Sequence, residues 1–262
     1  MHRIFRISII LCAIAISSGC TGFRHEHALH SKFYPSPVGN HRVLAVLLPG
    51  IGGDGSLYET QGFIEAVRER EFEADIKVLN VAPRMYLDKK IVDVLKIEVF
   101  SPAVREGYEE IHLVGISLGG HGALLYATEY PHDVEVVIVI APFLGGSVVR
   151  GAINDAGGLE YWEDCPFMSW NYACRFWRSV KDYMSHPRKR TNLYLGYGTN
   201  DMFAAECRIL AGMLPPENVF TVSGGHEWTT WKKLWLIALD HFRIIRSDRQ
   251  ARIKKDDVSN IE

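Results

Sequence analysis

GISLGGHGAL, residues 115–124, follows the mostly apolar run 111–114 and opens a stretch of helical character. Its first five residues match the pattern Gly-x-Ser-x-Gly. Between a strand and a helix, this pattern is typical of a sharp turn in which small residues flank a serine and lift its hydroxyl above the end of a sheet. Gly115 and Gly119 supply that room, so Ser117 is a candidate nucleophile. The pattern alone is only moderately specific, because similar strings occur in ordinary turns.

Two later strand-like runs each lead to a residue that an activated serine requires. Residues 191–198, TNLYLGYG, precede a loop that presents Asp201, and residues 218–225, NVFTVSGG, precede His226. A serine nucleophile needs a histidine to take its proton, and the histidine needs a buried carboxylate to fix its tautomer. The order serine, acid, histidine along the chain belongs to one hydrolase architecture. We therefore predict a catalytic triad of Ser117, Asp201 and His226.

Asp201 and His226 also have structural interpretations. Asp201 precedes the helical run 203–214, where an aspartate can cap the helix N-terminus, and a lone histidine is more often structural than catalytic. Three rival acids, Asp155, Asp164 and Asp182, lie in the irregular segment between predicted strands. The joint placement of three residues at successive strand ends, in the right order, favours the triad.

The first predicted strand runs into the glycine-rich segment 50–55, GIGGDG. Glycines allow backbone N–H groups to point into a site, and the tetrahedral intermediate of acyl transfer needs two such donors. We assign these donors to the backbone N–H groups of Leu118 and Ile51, with Gly52 as the close alternative to Ile51. The same glycines also suit a turn into the next helix, and both interpretations can hold together. The segment lacks the Gly-Lys-Ser/Thr ending of a phosphate-binding loop, so no nucleotide is predicted.

Strand-like and helical runs alternate along the chain in the order of a parallel sheet with crossover helices. The predicted strands lie near residues 43–49, 75–81, 111–116, 135–141, 192–197 and 218–222, and the predicted helices near 57–71, 90–107, 118–129, 203–214 and 228–244. We therefore predict an α/β fold, a mostly parallel central sheet with helices on both faces. The last helix carries apolar residues at helical spacing, which indicates a buried face: Trp228, Trp231, Leu234, Trp235 and Leu239.

These segments together resemble the α/β-hydrolase superfamily and, within it, the serine esterases related to esterase D and the feruloyl esterases. The resemblance spans about residues 43 to 240 and is carried by Leu48-Pro49-Gly50, the elbow 115–124, the loop 198–201 (GTND) and the string 224–228 (GGHEW). It implies Ser117 as nucleophile, Asp201 as acid and His226 as base. The chain departs from the family after the first strand, where Pro49-Gly50 stands in place of the His-Gly pair that many esterases carry.

The resemblance implies a serine hydrolase that cleaves a small-molecule or lipid carboxylic ester through an acyl-enzyme, with no cofactor. Two alternatives stay open. One is an acyltransferase that uses the same triad, as in the mycolyltransferases that share a similar elbow. The other is a non-catalytic binding protein on the same fold, against which the presence of all three triad residues argues.

Residues 142–190 are too many for an ordinary connection and predict an insertion with helices of its own. In the resembling fold, an insertion at this place sits over the active site as a cap. It contains eight aromatic residues: Tyr161, Trp162, Phe167, Trp170, Tyr172, Phe176, Trp177 and Tyr183. We expect some of them to form an apolar pocket wall or lid and at least half to pack the insertion onto the sheet. His121, near the elbow, is likewise interpreted as a packing residue.

The N-terminus predicts export. Residues 1–6, MHRIFR, are basic, and residues 7–16 are apolar but for one serine. Ten apolar residues are too few to span a bilayer, which takes about twenty, so the segment is interpreted as an export signal. The small residues before Cys20 resemble a bacterial lipobox, which implies a signal peptide over 1–19, lipidation of Cys20, and a membrane-anchored lipoprotein facing the periplasm or cell surface. Ser17 stands where a leucine is usual, so an ordinary secretory signal is the alternative.

The remaining chain is expected to divide into a linker over 20–40, the α/β-hydrolase domain over 41–245 and a charged tail, solvated or disordered, over 246–262. Without the leader, 27 basic and 31 acidic residues give a formal charge of −4. This near balance makes nucleic acid an unexpected partner, and 47% hydrophobic residues describe a globular chain with a well-buried core.

Cysteine usage leaves two possibilities open. Apart from Cys12 in the leader and Cys20, the chain has Cys165, Cys174 and Cys207. In an exported protein a disulfide between Cys165 and Cys174 would close a short loop, and three free, mostly buried thiols are the alternative. The spacing of cysteines and histidines does not resemble a zinc site, so no metal is predicted.

Overall fold

A computed structural model describes residues 29–39, 42–52, 54–87, 89–163, 172–186 and 191–259 of the 262-residue chain, without the side chains of Leu87 and of 244–259. The predicted signal peptide, Cys20, Gly53, and residues 164–171 and 187–190 of the insertion lie outside the described residues.

The described residues form a seven-stranded sheet. Its strands are β1 (His30–Tyr34), β2 (Val43–Leu48), β3 (Asp75–Asn80), β4 (Glu110–Ile116), β5 (Val136–Ile140), β6 (Asn192–Gly198) and β7 (Val219–Val222). Their order across the sheet is β1-β3-β2-β4-β5-β6-β7. β1 pairs with β3 in antiparallel fashion, and the other five pairings are parallel. The predicted α/β fold class is confirmed.

Helices connect these strands. They are α1 (Ser56–Thr60), α2 (Phe63–Glu69), α3 (Pro83–Leu87), α4 (Lys90–Leu95), α5 (Ser101–Glu106), α6 (Leu118–Glu129), α7 (Ser147–Asp155), α8 (Tyr172–Ser185), α9 (Ala204–Ala211) and α10 (Trp228–Ser259). A π-helical turn, Lys96–Phe100, joins α4 to α5, and a 3₁₀ turn, Pro216–Asn218, precedes β7.

The central strands are buried on both faces. β5, VVIVI, is buried along its whole length, as expected of a parallel strand covered by helices on each side. Val137 and Val139 join an apolar cluster with residues of α4, α5, α6, α8 and α9. Ile138 and Ile140 face the other way, into a cluster with α1, α2 and α10. Because side chains alternate along a strand, this one apolar run anchors both layers of helices.

Two parts of the chain differ from the prediction. Residues 30–34, predicted as linker, form the edge strand β1, in which four of five residues are exposed. This strand is held by pairing with the β3 backbone and not by burial of its side chains. Its sequence therefore shows no apolar alternation. Helix α10 continues to Ser259, beyond the predicted end near 244 and into the tail predicted to be solvated or disordered. The tail is rich in Arg, Lys and other helix-forming residues.

The insertion packs onto the rest of the molecule through its aromatic residues. It contains α7 and α8, and four of its rings belong to the buried core: Trp162, Phe176, Trp177 and Tyr183. The indole N–H of Trp177 donates to the carbonyl oxygen of Leu144 at 2.7 Å. Packing by at least half of the eight aromatic residues is therefore confirmed. Phe167 and Trp170 lie outside the described residues.

Substitution of two helix glycines is expected to have opposite effects on stability. A Cβ at Gly119, in α6, would lie 2.1 Å from the carbonyl oxygen of Leu48, whereas a Cβ at Gly151, in α7, would meet nothing within 4 Å. We expect Gly119→Ala to lower the free energy of unfolding by about 1–3 kcal/mol or more through overpacking. We expect Gly151→Ala to raise it by about 0.5–1 kcal/mol. Urea unfolding of the two variants measures both changes, and equal shifts would contradict the packing argument.

Candidate active site

Ser117 is the single residue between the end of β4, at Ile116, and the start of α6, at Leu118. Its backbone has φ 55° and ψ −117°, an unusual conformation for a residue with a side chain. A Cβ at Gly115 would lie 2.3 Å from the carbonyl oxygen of Gly119. Glycines on both sides of the serine thus allow the strand and the helix to meet at the sharp turn that the sequence predicted.

The structure brings the three predicted triad residues together. The Nε2 atom of His226 lies 2.9 Å from the hydroxyl oxygen of Ser117. The Nδ1 atom of the same ring lies 2.9 and 3.0 Å from the two carboxylate oxygens of Asp201. The Asp201 side chain is fully buried, and that of His226 is 19% exposed. A continuous relay of hydrogen bonds therefore runs from a buried carboxylate to a serine hydroxyl.

The carboxylate determines which imidazole nitrogen carries the proton. An ionised carboxylate can only accept hydrogen bonds, so Nδ1 of His226 donates to Asp201. Nε2 is then left with a lone pair that accepts from the Ser117 hydroxyl. This is the tautomer that a general base for serine requires.

Hydrogen bonds between two loops hold Asp201 and His226 next to each other. The amide of Thr199 donates to the carbonyl of Val222 at 2.8 Å, and the amide of Asn200 donates to the carbonyl of Gly224 at 3.0 Å. A Cβ at Gly198 would lie 2.3 Å from the Gly224 carbonyl oxygen. The loops after β6 and β7 therefore approach more closely than larger residues at position 198 would permit.

Asp201 precedes α9 but does not cap it, because the N-cap of this helix is Phe203 and the helix has no side-chain cap hydrogen bond. Its Oδ1 accepts the backbone N–H of Phe203 at 2.8 Å, directly before α9. This contact fixes the carboxylate while its oxygens also face His226. The aromatic rings of Phe203 and Trp231 lie at 4.9 Å from the His226 ring, each nearly perpendicular to it. The imidazole therefore packs against two aromatic side chains.

The rival acids lie apart from this relay. Asp155 is exposed at the end of α7. The side chain of Asp182, on α8, is 80% exposed and lies 3.8 Å from His186. Asp164 lies outside the described residues. Of the described candidates, only Asp201 contacts His226.

The loop after β2 lies against the nucleophile. A Cβ at Gly50 would be 3.1 Å from the Cβ of Ser117 and 3.7 Å from its hydroxyl oxygen. Leu118 begins α6, and the first N–H groups of a helix have no partner within it. The two segments predicted to supply oxyanion donors, at Ile51 and Leu118, therefore flank Ser117. The assignment of the donors themselves stays a prediction.

Two buried tyrosines fix this loop. The hydroxyl of Tyr58, in α1, donates to the carbonyl of Leu48 at 2.7 Å, and that of Tyr86, in α3, donates to the carbonyl of Pro49 at 3.0 Å. Burial raises the pKa of both phenols well above the ordinary value, so both remain donors. The sequence analysis did not find these residues, because each lies in a short helix with no pattern that links it to the loop.

Comparison with known proteins identifies the family. The family model described as Esterase matches residues 85–241, which include Ser117, Asp201 and His226. The chain belongs to the esterase family. The predicted resemblance to α/β-hydrolase esterases is thus confirmed.

Solved structures share the fold of this esterase. An α/β-hydrolase from the metagenome of lagoon sediments of Mar Chica, Morocco, is 18% identical with a TM-score of 0.56, and the match covers 86% of this chain and 98% of that one. S-formylglutathione hydrolase from Staphylococcus aureus is 14% identical with a TM-score of 0.54, covering 82% and 96%. A ferulic acid esterase is 16% identical with a TM-score of 0.53, covering 82% and 96%. At these identities the likeness concerns the fold.

Among curated proteins, the esterase is similar over a shorter segment. It is 32% identical over 96 residues to 2-hydroxy-6-oxo-6-phenylhexa-2,4-dienoate hydrolase from Burkholderia cepacia. The match covers 36% of this chain and 33% of that protein. The esterase thus spans about a third of the length of this relative.

The two described cysteines, Cys174 and Cys207, are buried and take no part in the hydrogen bonds of the relay. Cys174 is buried and disulfide-bonded, and its predicted partner Cys165 lies outside the described residues. Cys207 is a buried free thiol whose pKa is raised by burial, so it is neutral and unreactive.

Two other kinds of feature are absent from the described ranges of the esterase. Within those ranges, no group of three or more His, Cys, Asp or Glu side chains is placed to hold a metal ion. Likewise, none of the helices described there has the length and apolar character needed to cross a bilayer.

The strained backbone at Ser117 leads to a prediction about stability. Ser117→Ala and Ser117→Gly both remove the hydroxyl, but only glycine adopts a positive φ without steric cost. Since an unfavourable backbone conformation costs about 1–3 kcal/mol and glycine adds an entropic cost to folding, we expect Ser117→Gly to be more stable than Ser117→Ala by about 1 kcal/mol. Thermal unfolding of the pair measures the difference. A more stable alanine variant would show that the turn stores no strain.

Proposed function

We propose that this esterase hydrolyses carboxylic esters through an acyl-enzyme on Ser117. The observation that carries the proposal is the single line of hydrogen bonds from Asp201 through His226 to the Ser117 hydroxyl, each between 2.9 and 3.0 Å. A serine hydroxyl is a weak nucleophile unless a base takes its proton. This geometry supports His226 as that base, in the tautomer that the reaction requires.

The proposed reaction has two halves. In the first, Nε2 of His226 takes the Ser117 proton while the serine oxygen bonds to the ester carbonyl carbon. The resulting imidazolium is stabilised by Asp201 and returns the proton to the departing alcohol, which leaves an acyl group on Ser117. In the second, His226 takes a proton from water, hydroxide attacks the acyl carbon, and the proton returns to Ser117 as the carboxylic acid leaves. No cofactor is required.

Backbone N–H groups are proposed to hold the negative charge that forms on the carbonyl oxygen. Leu118 and Ile51 are the proposed donors, because their segments flank Ser117 from two sides. The hydrogen bonds from Tyr58 and Tyr86 support this role, since they hold the preceding carbonyls of the loop in place. Donors held rigidly before the reaction stabilise the intermediate without reorganisation during it.

The substrate is proposed to be a small-molecule or lipid ester with an apolar group. Ile51 and Met202 are 74% and 70% exposed, although both are large apolar residues. Each directly follows a residue of the site, Gly50 and Asp201 respectively. Apolar surface at this place favours an apolar acyl or alcohol group over a charged one.

We expect a p-nitrophenyl ester series, acetate through laurate, to be hydrolysed by the soluble chain that starts after Cys20. Ser117→Ala should abolish turnover and labelling by a fluorophosphonate probe. Asp201→Asn should lower kcat by about 10⁴-fold, because the amide no longer holds the required tautomer of His226. The matched control is Asp182→Asn, which removes an exposed carboxylate and should leave kcat at the wild-type value.

Three results would contradict this proposal. They are the absence of turnover and labelling in the wild-type protein, turnover that survives Ser117→Ala, or equal losses in the two aspartate variants. If an added alcohol accepts the acyl group faster than water does, the same triad supports acyl transfer instead. In the ester series, the length of the preferred acyl chain measures how large an apolar group the site accepts.

We further propose that the esterase is exported and anchored to a membrane as a lipoprotein facing the periplasm or cell surface. The support lies in the sequence: a basic start, an apolar stretch and small residues before Cys20. With more than one acyl chain the anchor would be stable, whereas one chain would be marginal.

In cells expressing the full chain, we expect metabolic labelling with a fatty acid and recovery of the protein in the membrane fraction. Cys20→Ala should abolish labelling and release the protein from membranes. Cys12→Ala, within the proposed leader, is the matched control and should be labelled normally. A soluble mature protein cleaved at another position would favour an ordinary secretory signal.

A further inference from the structure

His121 is a buried histidine next to the nucleophile that the proposed reaction does not use. It lies in the first turn of α6 and has no exposed surface. Its Nδ1 lies 3.0 Å from the carbonyl oxygen of Phe143. A carbonyl can only accept, so Nδ1 carries the proton and donates. Nε2 is buried and has no hydrogen-bond partner among the described residues, which suits a neutral ring. Burial lowers the pKa of His121 to about 3.

Phe143 links this histidine to the elbow. The N–H of Phe143 donates to the carbonyl oxygen of Ser117 at 3.0 Å, and the N–H of His121 donates to the same oxygen at 3.2 Å. Both backbone polar groups of Phe143 are therefore hydrogen-bonded. Its N–H donates to the Ser117 carbonyl, and its own carbonyl accepts from the His121 ring. These bonds join the loop after β5 to the turn that presents Ser117.

The loop that contains Phe143 has a backbone conformation that needs such support. Ala141, two residues earlier, has φ 47°, a left-handed conformation that residues other than glycine rarely adopt. The ring of Phe143 lies 5.5 Å from that of Phe203, which in turn lies 4.9 Å from the His226 ring. A displaced Phe143 would therefore disturb both the serine and the base.

We propose that His121 is a positioning residue that holds Phe143, and through it the Ser117 turn, in the geometry for attack. The inference rests on the proposed function of Ser117 as nucleophile. His121 acts through one hydrogen bond, from Nδ1 to the Phe143 carbonyl, and does not contact the Ser117 side chain.

The side chain has two separable contacts. Its hydrogen bond goes to Phe143, whereas its ring packs against Phe176 of α8, with ring centroids 4.3 Å apart. His121→Asn keeps an N–H donor near the position of Nδ1 and loses the ring. His121→Phe keeps a ring and loses the donor. The two variants thus separate positioning from packing.

With the soluble chain and p-nitrophenyl acetate, we expect His121→Phe to lower kcat about 10- to 100-fold with little change in KM, as a misplaced reacting group does. The rate at which a fluorophosphonate labels Ser117 should fall by a similar factor. Hydrogen exchange at the Phe143 amide should become faster. His121→Asn keeps the donor, so it should retain the wild-type kcat, and the Phe143 amide should exchange as slowly as in the wild type. Its melting temperature should fall, because the variant loses the ring. His186→Phe, at an exposed histidine directly after α8, is the control and should match the wild type.

The inference is overturned if His121→Phe keeps the wild-type kcat, whatever happens to exchange, or if His121→Asn loses as much activity as His121→Phe. If His121→Phe does not fold, the smaller His121→Leu, which also lacks the donor, replaces it. Wild-type protein without Ser117-dependent turnover would overturn the proposed function instead. The proposed role of His121 would then be overturned as well. Assays of the wild type and Ser117→Ala reveal this outcome before any His121 variant is tested.

Discussion

The close approach of helix α6 to strands β2 and β4 is the constraint on which the site depends. At Gly119, the carbonyl of Leu48 occupies the space that any side chain would need. This contact brings the loop after β2 to the nucleophile, with Gly50 against Ser117. It also forces the sharp turn at Ser117, because strand and helix meet within one residue. The proximity of Ser117 to the proposed backbone donors thus follows from how closely α6 packs against these strands.

A second constraint acts at the neighbouring strand ends. Asp201 is fully buried, and a buried charge is costly unless hydrogen bonds satisfy it. Its oxygens accept from Phe203 and His226, so the protein stabilises the carboxylate with the contacts that orient the base. The paired loops after β6 and β7 keep these partners together. The same hydrogen bonds therefore stabilise the buried carboxylate and orient His226.

The sequence predicted those features that leave a local pattern. All parallel strands, the elbow and the three relay residues were found, because alternation, glycines and strand ends are visible within a few residues. β1 was missed, since an exposed edge strand is specified by its partner's backbone. Tyr58 and Tyr86 were missed because their roles depend on carbonyls 10 and 37 positions away. His121 was correctly expected to pack, but its bond to Phe143 was not visible in sequence.

The hydrogen bonds around Ser117 show why packing and positioning are hard to separate in this esterase. The Ser117 carbonyl accepts from Phe143 and from His121, and the Ser117 N–H donates to the carbonyl of Ile140 at 2.9 Å. Backbone strain at a functional residue persists only where its surroundings fix it. Here the sheet, helix α6 and the loop after β5 each make a backbone hydrogen bond with Ser117. A side chain buried in the core, such as His121, can therefore determine how well the serine is presented without ever meeting the substrate.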